Sequence, residues 1–376
     1  MKKVCYIATI PSTIRAFFIP QLQFLSENGF DVTVICSPDE TLQDELGDGV
    51  RYIALEIPRG IALGGSIKVV GALKQIFCQE KFELVQYSTP NAAMYASIAA
   101  KKTGIMKRNY HLMGFRFLGA KGFERFILRT LEKITCKIST SIECVSQSNL
   151  ELGVQEKIFP KNKATVVWNG SSGGIDLKRF DIARRNEWRK EIREEFGYKN
   201  TDFVYGFAGR ITGDKGINEL LKAFLGLKDD SKLFLLGNIE NENTLDSKLL
   251  NMAKSSCNIR FQSSVKDIER YYAAMDVLVL PSYREGFGNV VIEAGAVGTP
   301  AIVSDIPGPI DAIQQGITGY AVPVKNIQML QDVMKRMRII DSTKMGVNAS
   351  IYVRDHFDSE ILNHKILKRK LELLRD

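Results

Sequence analysis

Short apolar runs alternate with amphipathic stretches along almost the whole chain, and this rhythm restricts the fold more than any other feature. A run such as Asp276-Val277-Leu278-Val279-Leu280-Pro281 shows no polar alternation, so both faces of that strand must be covered, as in a parallel sheet with helices on each side. The first half predicts strands at 3–8, 31–36, 51–55, 84–87, 108–113 and 141–145, with helices between them. A second series is expected after Lys163, with strands at 165–168, 203–208, 232–236, 259–261, 277–280, 301–303 and 319–322. With 376 residues there is material for two domains, each with its own core. The fold class expected is therefore α/β, two doubly wound parallel-sheet domains facing across a cleft. Ligands of such sheets bind beyond the carboxyl ends of the strands, which points to the cleft as the active site. The flexible stretch from Trp168 to Asp176 reads as the hinge. The expected boundaries are 1–168 and 169–357, with a charged helix at about 358–376 packing back on the first domain.

Composition narrows the function classes. A hydrophobic share of 45% with 25% charged residues is that of a globular protein, and no apolar run is long enough to cross a bilayer. Met1-Lys2-Lys3 followed by Val4 to Ala8 lacks a small-residue cleavage site and reads as the first core strand. The six cysteines are scattered without a C-x-x-C pair, which fits a reducing cytoplasm. His111, His356 and His364 have no metal-ligand spacing, so no metal is expected.

The net charge of +8 is concentrated between Lys101 and Lys137, where ten basic residues stand against Glu124 and Glu132. A helix from Gly122 to Lys137 sets Phe123, Phe126, Ile127, Thr130, Leu131 and Ile134 on one side and Arg125, Arg129 and Lys133 on another. Such a helix either lies on anionic lipid or packs on a core with a solvated basic face. The expectation is an anionic membrane surface bound through 101–137, and no nucleic acid, since no nucleic-acid-binding signature accompanies the charge.

Two loops carry the chemistry. In Ser282-Tyr283-Arg284-Glu285-Gly286-Phe287-Gly288-Asn289, Glu285 precedes a helix start and Glu293 falls about one turn inside it. Backbone N–H groups from Gly286 to Asn289 would then face an anion, while the carboxylates accept hydrogen bonds from sugar or ribose hydroxyls. A first-turn Glu on the helix dipole with an ordinary surface Glu is the alternative reading of the same spacing. The second loop, Gly209-Arg210-Ile211-Thr212-Gly213-Asp214-Lys215-Gly216, follows a strand and opens a helix. Its glycines permit close backbone approach, and Arg210 and Lys215 supply charge for a diphosphate, or else flank a solvated turn. The spacing is neither that of a Walker loop nor that of a dinucleotide fingerprint.

Taken in order, Gly209-Arg210 with Lys215-Gly216, Phe261 with Val265 and Asp267, Pro281-Ser282 with Glu285-Gly286-Phe287 and Glu293, and Gly298-Thr299-Pro300 to Ser304 resemble the family 4 glycosyltransferases. In the N-terminal half, Arg59, Ser88-Thr89-Pro90, Gly114-Phe115-Arg116-Phe117 and Gly174-Ile175-Asp176 with Phe180 are similar to the branch that builds capsule, O-antigen or lipid-linked glycans. The resemblance implies a GT-B fold of two Rossmann-like domains. It also implies retaining transfer of a hexose or N-acetylhexosamine from a nucleoside-diphosphate sugar, with UDP expected, to a polyprenyl-diphosphate-linked saccharide. No cofactor or metal is implied, and the place of action is the inner face of the cytoplasmic membrane. Carried over by position, Arg210 and Lys215 clamp the diphosphate, Glu285 orients the donor sugar and Glu293 takes the ribose. Gly209, Ser282, Gly286, Phe287, Gly288 and Asn289 complete the donor site, and Ser12, Thr13, Arg116 and Gly174 lie on the acceptor or hinge side. His111 is a candidate catalytic group or a satisfied core histidine. Several positions depart from the family pattern: Thr9 to Thr13 lacks paired glycines, Gln86 stands where His is common, Met113 precedes Gly114, Ser263 replaces a Gly, and Gly288 replaces a Pro. A nucleotide-sugar epimerase and a non-catalytic sugar- or nucleic-acid-binding scaffold are the alternative functions.

Overall fold

A computed structural model describes residues 1–58, 60 and 63–375, the side chains of 63–66 excepted, so Arg59 lies outside the described residues. The chain forms two compact units, Met1–Gly174 with Glu360–Asp376, and Ile175–Ser359.

The first unit contains β1 (Lys2–Ile7), β2 (Phe30–Cys36), β3 (Val50–Ala54), β4 (Leu84–Ser88), β5 (Lys107–Leu112), β6 (Ser141–Cys144) and β7 (Ala164–Val166). They form one parallel sheet in the order β3-β2-β1-β4-β5-β6-β7. Strand alternation splits the core in two. Cys5, Ile7, Val85, Tyr87, Tyr110 and Ile142 pack under the helices Leu63–Glu80, Pro90–Lys102 and Gly122–Ile138. Val4, Tyr6, Val32, Val34 and Leu84 face the other way, with Leu22 and Leu25 of Ile19–Glu27 and Leu373 of the terminal helix Ser359–Arg375. Past Leu84, that second face of β4 to β6 carries polar residues, among them Gln86, Asn109, His111, Ser141 and Glu143, all of them buried. Lys370 of the terminal helix is 1% exposed and donates to Gln86 Oε1 at 2.6 Å and Glu143 Oε2 at 2.7 Å.

The second unit contains β8 (Val204–Ala208), β9 (Lys232–Leu236), β10 (Ile259–Gln262), β11 (Val277–Leu280), β12 (Ala301–Ser304) and β13 (Gly319–Val322). Its order is β10-β9-β8-β11-β12-β13, again parallel. Every residue of β8, β11 and β12 is buried, which explains their unbroken apolar runs. In each sheet the strand order reverses next to the first strand, between β1 and β4 and between β8 and β11. Those reversals leave a crevice at the strand ends where ligands of such sheets bind.

One assignment is corrected. The strand expected at 165–168 as the start of the second series is β7, which pairs with β6 in the first sheet through Glu143↔Thr165 and Cys144↔Val166. The chain leaves the first unit after Gly174 instead of at 168/169. Ser171 N donates to Val145 O at 2.7 Å and Gln21 Nε2 donates to Ser172 O at 2.9 Å, which ties this stretch to the first unit.

Candidate active site

The loops after β8 and β11 meet at the switch point of the second sheet. After Ala208, Gly209 has φ +140° and the turn Gly213–Lys215 ends at Gly216, with φ +73°, before the helix Ile217–Leu225. A Cβ on Gly216 would stand 2.1 Å from Pro281 O, so only glycine lets the two loops touch. Contact of the loops brings Lys215 Nζ to 2.6 Å from Glu285 Oε1, with the two side chains 18% and 14% exposed. The same loops are joined by Tyr283 N donating to Asp214 O at 2.9 Å and by Arg284 Nη2 with Asp214 Oδ2 at 3.1 Å. Burial works against the Asp214 charge, yet the Thr212 hydroxyl and the charges of Arg284, Arg210 and Lys215 hold its carboxyl below the usual range. Arg210 is placed apart from Lys215: its guanidinium is half exposed and reaches Glu240 Oε2 at 3.4 Å.

Beyond this pair, Gly288 takes φ +91° and caps the helix Asn289–Ala296. Phe287 is buried against the Phe357 ring, with centroids 5.3 Å apart, and anchors the turn. A Cβ on Gly308 would fall 2.7 Å from Gly286 O, so the Gly308 backbone closes on this turn. Ser282 is fully buried, and its Oγ has no partner among the described residues. Glu293 is half-buried, and its Oε2 accepts from Tyr272 OH at 2.8 Å. Burial raises the Glu293 pKa, and the tyrosine hydrogen bond opposes that rise. The hydroxyl fixes one carboxylate oxygen and leaves the other without a partner among the described residues. Tyr272 itself is set by Thr299, whose Oγ1 donates to Tyr272 O at 2.7 Å. Neither Tyr272 nor Gly308 was singled out from the sequence. Only the neighbouring Gly298-Thr299-Pro300 motif hinted at a constraint there.

In the first unit, Ser12 is exposed and Thr13 half-buried in the first turn of Pro11–Phe17, which follows β1. At the switch point beside them, Thr9 Oγ1 and Thr89 Oγ1 are 2.7 Å apart, and Thr89 adopts φ +65°, an outlying conformation for a β-branched residue. Arg116 is half-buried in the turn Arg116–Gly119, with no ion pair among the described residues. Gly174, at φ +65°, donates its N–H to Ser171 Oγ at 3.3 Å. His111 is not with these groups. It lies buried on the polar face of the sheet, with Nε2 3.2 Å from Ser172 Oγ and the Phe18 ring 5.4 Å away. Burial, with the Lys370 charge adding and Glu143 opposing, pushes its pKa down to about 4 and keeps the ring neutral.

The helix Gly122–Ile138 is turned inside out. Leu128, Glu132, Thr135 and Cys136 face inward, while Phe123 is 77% and Phe126 65% exposed, with Ile134 beside them. On its basic side, Arg129 Nε holds Glu156 Oε2 at 3.0 Å and Arg125 Nη2 holds Glu156 Oε1 at 3.3 Å, so both charges are shared with a neighbouring carboxylate. No helix among the described residues is long and apolar enough to cross a membrane.

The family described as glycosyl transferases group 1 matches residues 189–347, and the one described as glycosyl transferase 4-like matches residues 3–146. The capsular polysaccharide biosynthesis glycosyltransferase CapM of Staphylococcus aureus is 30% identical over 367 residues, covering 96% of this chain and 94% of that protein. The UDP-Gal:alpha-D-GlcNAc-diphosphoundecaprenol alpha-1,3-galactosyltransferase of Escherichia coli is 25% identical over 348 residues, covering 89% of this chain and 87% of that protein. Among solved structures, sucrose-phosphate synthase from Thermosynechococcus elongatus matches with a TM-score of 0.82 and 18% identity over 100% of both chains, a likeness of fold.

Proposed function

This chain belongs to the family 4 glycosyltransferases and has their GT-B fold, and from that premise we propose that it is a retaining, metal-independent enzyme. It moves a hexose or N-acetylhexosamine from a UDP-sugar to a polyprenyl-diphosphate-linked saccharide of a bacterial surface glycan. The observation that carries this reading is the shielded Lys215–Glu285 pair, 2.6 Å long, at the β8/β11 switch point. The relatives' names supply the acceptor class and the UDP carrier.

In the resting site Lys215 neutralises Glu285. On donor binding its ammonium turns to the diphosphate, where the leaving group's charge develops, and Arg210 folds in from Glu240 to share that load. Glu285 is then free to accept hydroxyls of the donor sugar. The unpartnered oxygen of Glu293 accepts from the ribose while Tyr272 holds the other. The acceptor hydroxyl oxygen bonds to the anomeric carbon on the face from which the diphosphate departs. The bond from that carbon to the phosphate oxygen breaks, and the hydroxyl proton passes to the departing phosphate. Ser12, Thr13, Arg116 and Gly174 serve the acceptor side. His111, neutral and buried, supports the first unit from beneath and takes no proton in this scheme.

The exposed Phe123, Phe126 and Ile134 would enter the apolar boundary of an anionic bilayer, with Lys121 and Lys137 at either end of the helix reaching the headgroups. In this reading the enzyme works on the inner face of the cytoplasmic membrane, beside its lipid-linked acceptor.

The test is nucleotide release from a panel of UDP-, GDP- and dTDP-sugars, with and without polyprenyl-diphosphate glycans and with and without chelator. Release from one UDP-sugar, raised by the lipid acceptor and indifferent to chelator, is expected, with Lys215→Ala about a hundredfold slower and Glu285→Ala inactive. Near-normal turnover in Lys215→Ala would remove the diphosphate assignment. Donor binding without turnover under every condition would favour a scaffold.

A further inference from the structure

The opposite edge of the second sheet, where its strands begin, holds an arginine cluster that the donor site does not use. Helix Arg185–Glu195 carries Arg185, Arg189 and Arg193 at four-residue spacing, hence along one face. They converge on the residue before β11, Asp276, whose carboxylate accepts from Arg189 Nη2 at 2.6 Å and Arg193 Nη2 at 2.8 Å.

The three guanidinium groups are not equally engaged. Arg193 is fully buried and uses every nitrogen: Nε donates to Ala274 O at 3.1 Å, Nη1 to the carbonyls of Lys199, Asn200 and Asp202, and Nη2 to Asp276. Arg185 gives Nη1 to Val297 O and Thr299 Oγ1, both at 2.7 Å, and Nη2 to Met275 O at 3.1 Å. Arg189 gives Nη1 to Ala274 O and Met275 O at 3.4 and 3.3 Å. In Arg185 and Arg189 alike, Nε–H has no acceptor among the described residues.

These two half-buried arginines line a pocket together with Ile182 and Val347 as apolar walls and Ser342 and Thr343 from the first turn of helix Ser342–Phe357. Three positive charges thus meet one carboxylate. Burial, with the adjoining Arg189 charge next and Asp276 opposing, pulls the Arg185 pKa down to about 10, as expected of crowded cations that outnumber their counter-ion. Other acids nearby are committed elsewhere: Glu187 to Arg184, Glu191 to Arg270, and Asp341 to Lys344 N.

We propose that this pocket binds a phosphate-bearing small molecule, with phosphate oxygens on the free Nε edges of Arg185 and Arg189 and on the hydroxyls of Ser342 and Thr343. The organic part of the ligand rests on Ile182 and Val347. A guanidinium edge suits paired phosphate oxygens, and the N-terminus of a sixteen-residue helix adds a favourable dipole. The pocket is distinct from the donor loops: β11 separates Asp276 at one from Pro281 at the other, and helix Asn289–Ala296 leads back to its C-cap Val297.

The experiment is calorimetric titration of inorganic phosphate into the full-length Lys215→Ala protein, at ionic strength held constant with chloride, so that the proposed donor site is disabled. Saturable binding at one site is expected, weakened about tenfold or more by Ser342→Asp with Thr343→Asp. Carboxylates in a helix's first turn favour the helix, so that variant keeps its circular dichroism and melting midpoint. Arg189→Gln, a second variant, should weaken phosphate similarly. Absence of saturable binding in the Lys215→Ala protein, binding seen only in the wild type, or an unchanged affinity in the double-Asp variant would each overturn the site.

Discussion

At the residue scale, two buried groups of the first unit titrate in opposite senses. Burial lifts Glu132 from 4.5 to about 7, with the Tyr110 hydroxyl opposing, and lowers His111 from 6.5 to about 4. For Glu132 the folded pKa lies above the unfolded one, so its contribution is full below 4.5 and is lost as pH rises through 7. For His111 the folded value lies below, so its contribution is full above 6.5 and is lost as pH falls through 4. Each effect is on the order of 3 kcal/mol, and over the shared window they oppose each other. Denaturant unfolding of the wild type should therefore vary little with pH between those limits on account of these two groups. The Glu132→Gln protein should be more stable than wild type at pH about 8, where the buried charge is removed, and should lose stability steeply on acidification below 6.5 as the His111 dependence stands alone. A Glu132→Gln profile parallel to the wild type would show that Glu132 ionises freely in the folded chain.

At the element scale, the helix Gly122–Ile138 was legible as amphipathic, and its start matches the expected one. Which stripe faces inward was not legible. A sequence pattern records that apolar and basic residues lie on different sides of the helix, and neither side is labelled as the interface. The structure buries Leu128, Thr135 and Cys136 with Glu132, whose carboxylate is hydrogen-bonded by the buried Tyr110 hydroxyl of β5, and leaves the phenylalanines outside. Phe123→Ser with Phe126→Ser should lower partition onto anionic vesicles by tenfold or more, since a buried Phe is worth roughly 1.5–3 kcal/mol, while the melting midpoint holds. Arg125→Ala with Arg129→Ala should cost only about 0–1 kcal/mol of stability and weaken vesicle binding less, because Glu156 already shares both charges. Sedimentation with vesicles measures both, and an unchanged partition of the phenylalanine variant would return the helix to ordinary surface.

At the scale of the whole molecule, the terminal helix Ser359–Arg375 is part of the first unit although almost the entire second unit precedes it in the chain. Its apolar positions announced a packed helix. The lysine among them gave no sign of its partners. Lys370 closes on Glu143 and Gln86, and Asn109 Nδ2 also donates to Gln86 Oε1 at 2.9 Å. Lys370→Met leaves the buried Glu143 with only the longer Arg369 Nε contact, 3.6 Å from Oε1, among the described residues, and should cost roughly 3–5 kcal/mol in denaturant unfolding. Adding Glu143→Gln should restore much of that loss. A Lys370→Met protein as stable as wild type would mean that Arg369 or water takes over the Glu143 charge.

The sequence alone determined the element order, because unbroken apolar runs and amphipathic stretches report directly on which backbone must be covered. It also singled out the two loops proposed to bind the donor, since glycines, cations and carboxylates at fixed offsets are local features. The tertiary structure decided what lies between them. It paired Lys215 with Glu285 and set Arg210 apart at Glu240. It placed Tyr272 against Glu293, set the His111 ring against Ser172 on the buried polar face of the first sheet and added β7 to the first unit. These are contacts between residues far apart in the chain, chosen by the register of parallel strands, and a pattern read along one strand carries no register with its neighbour.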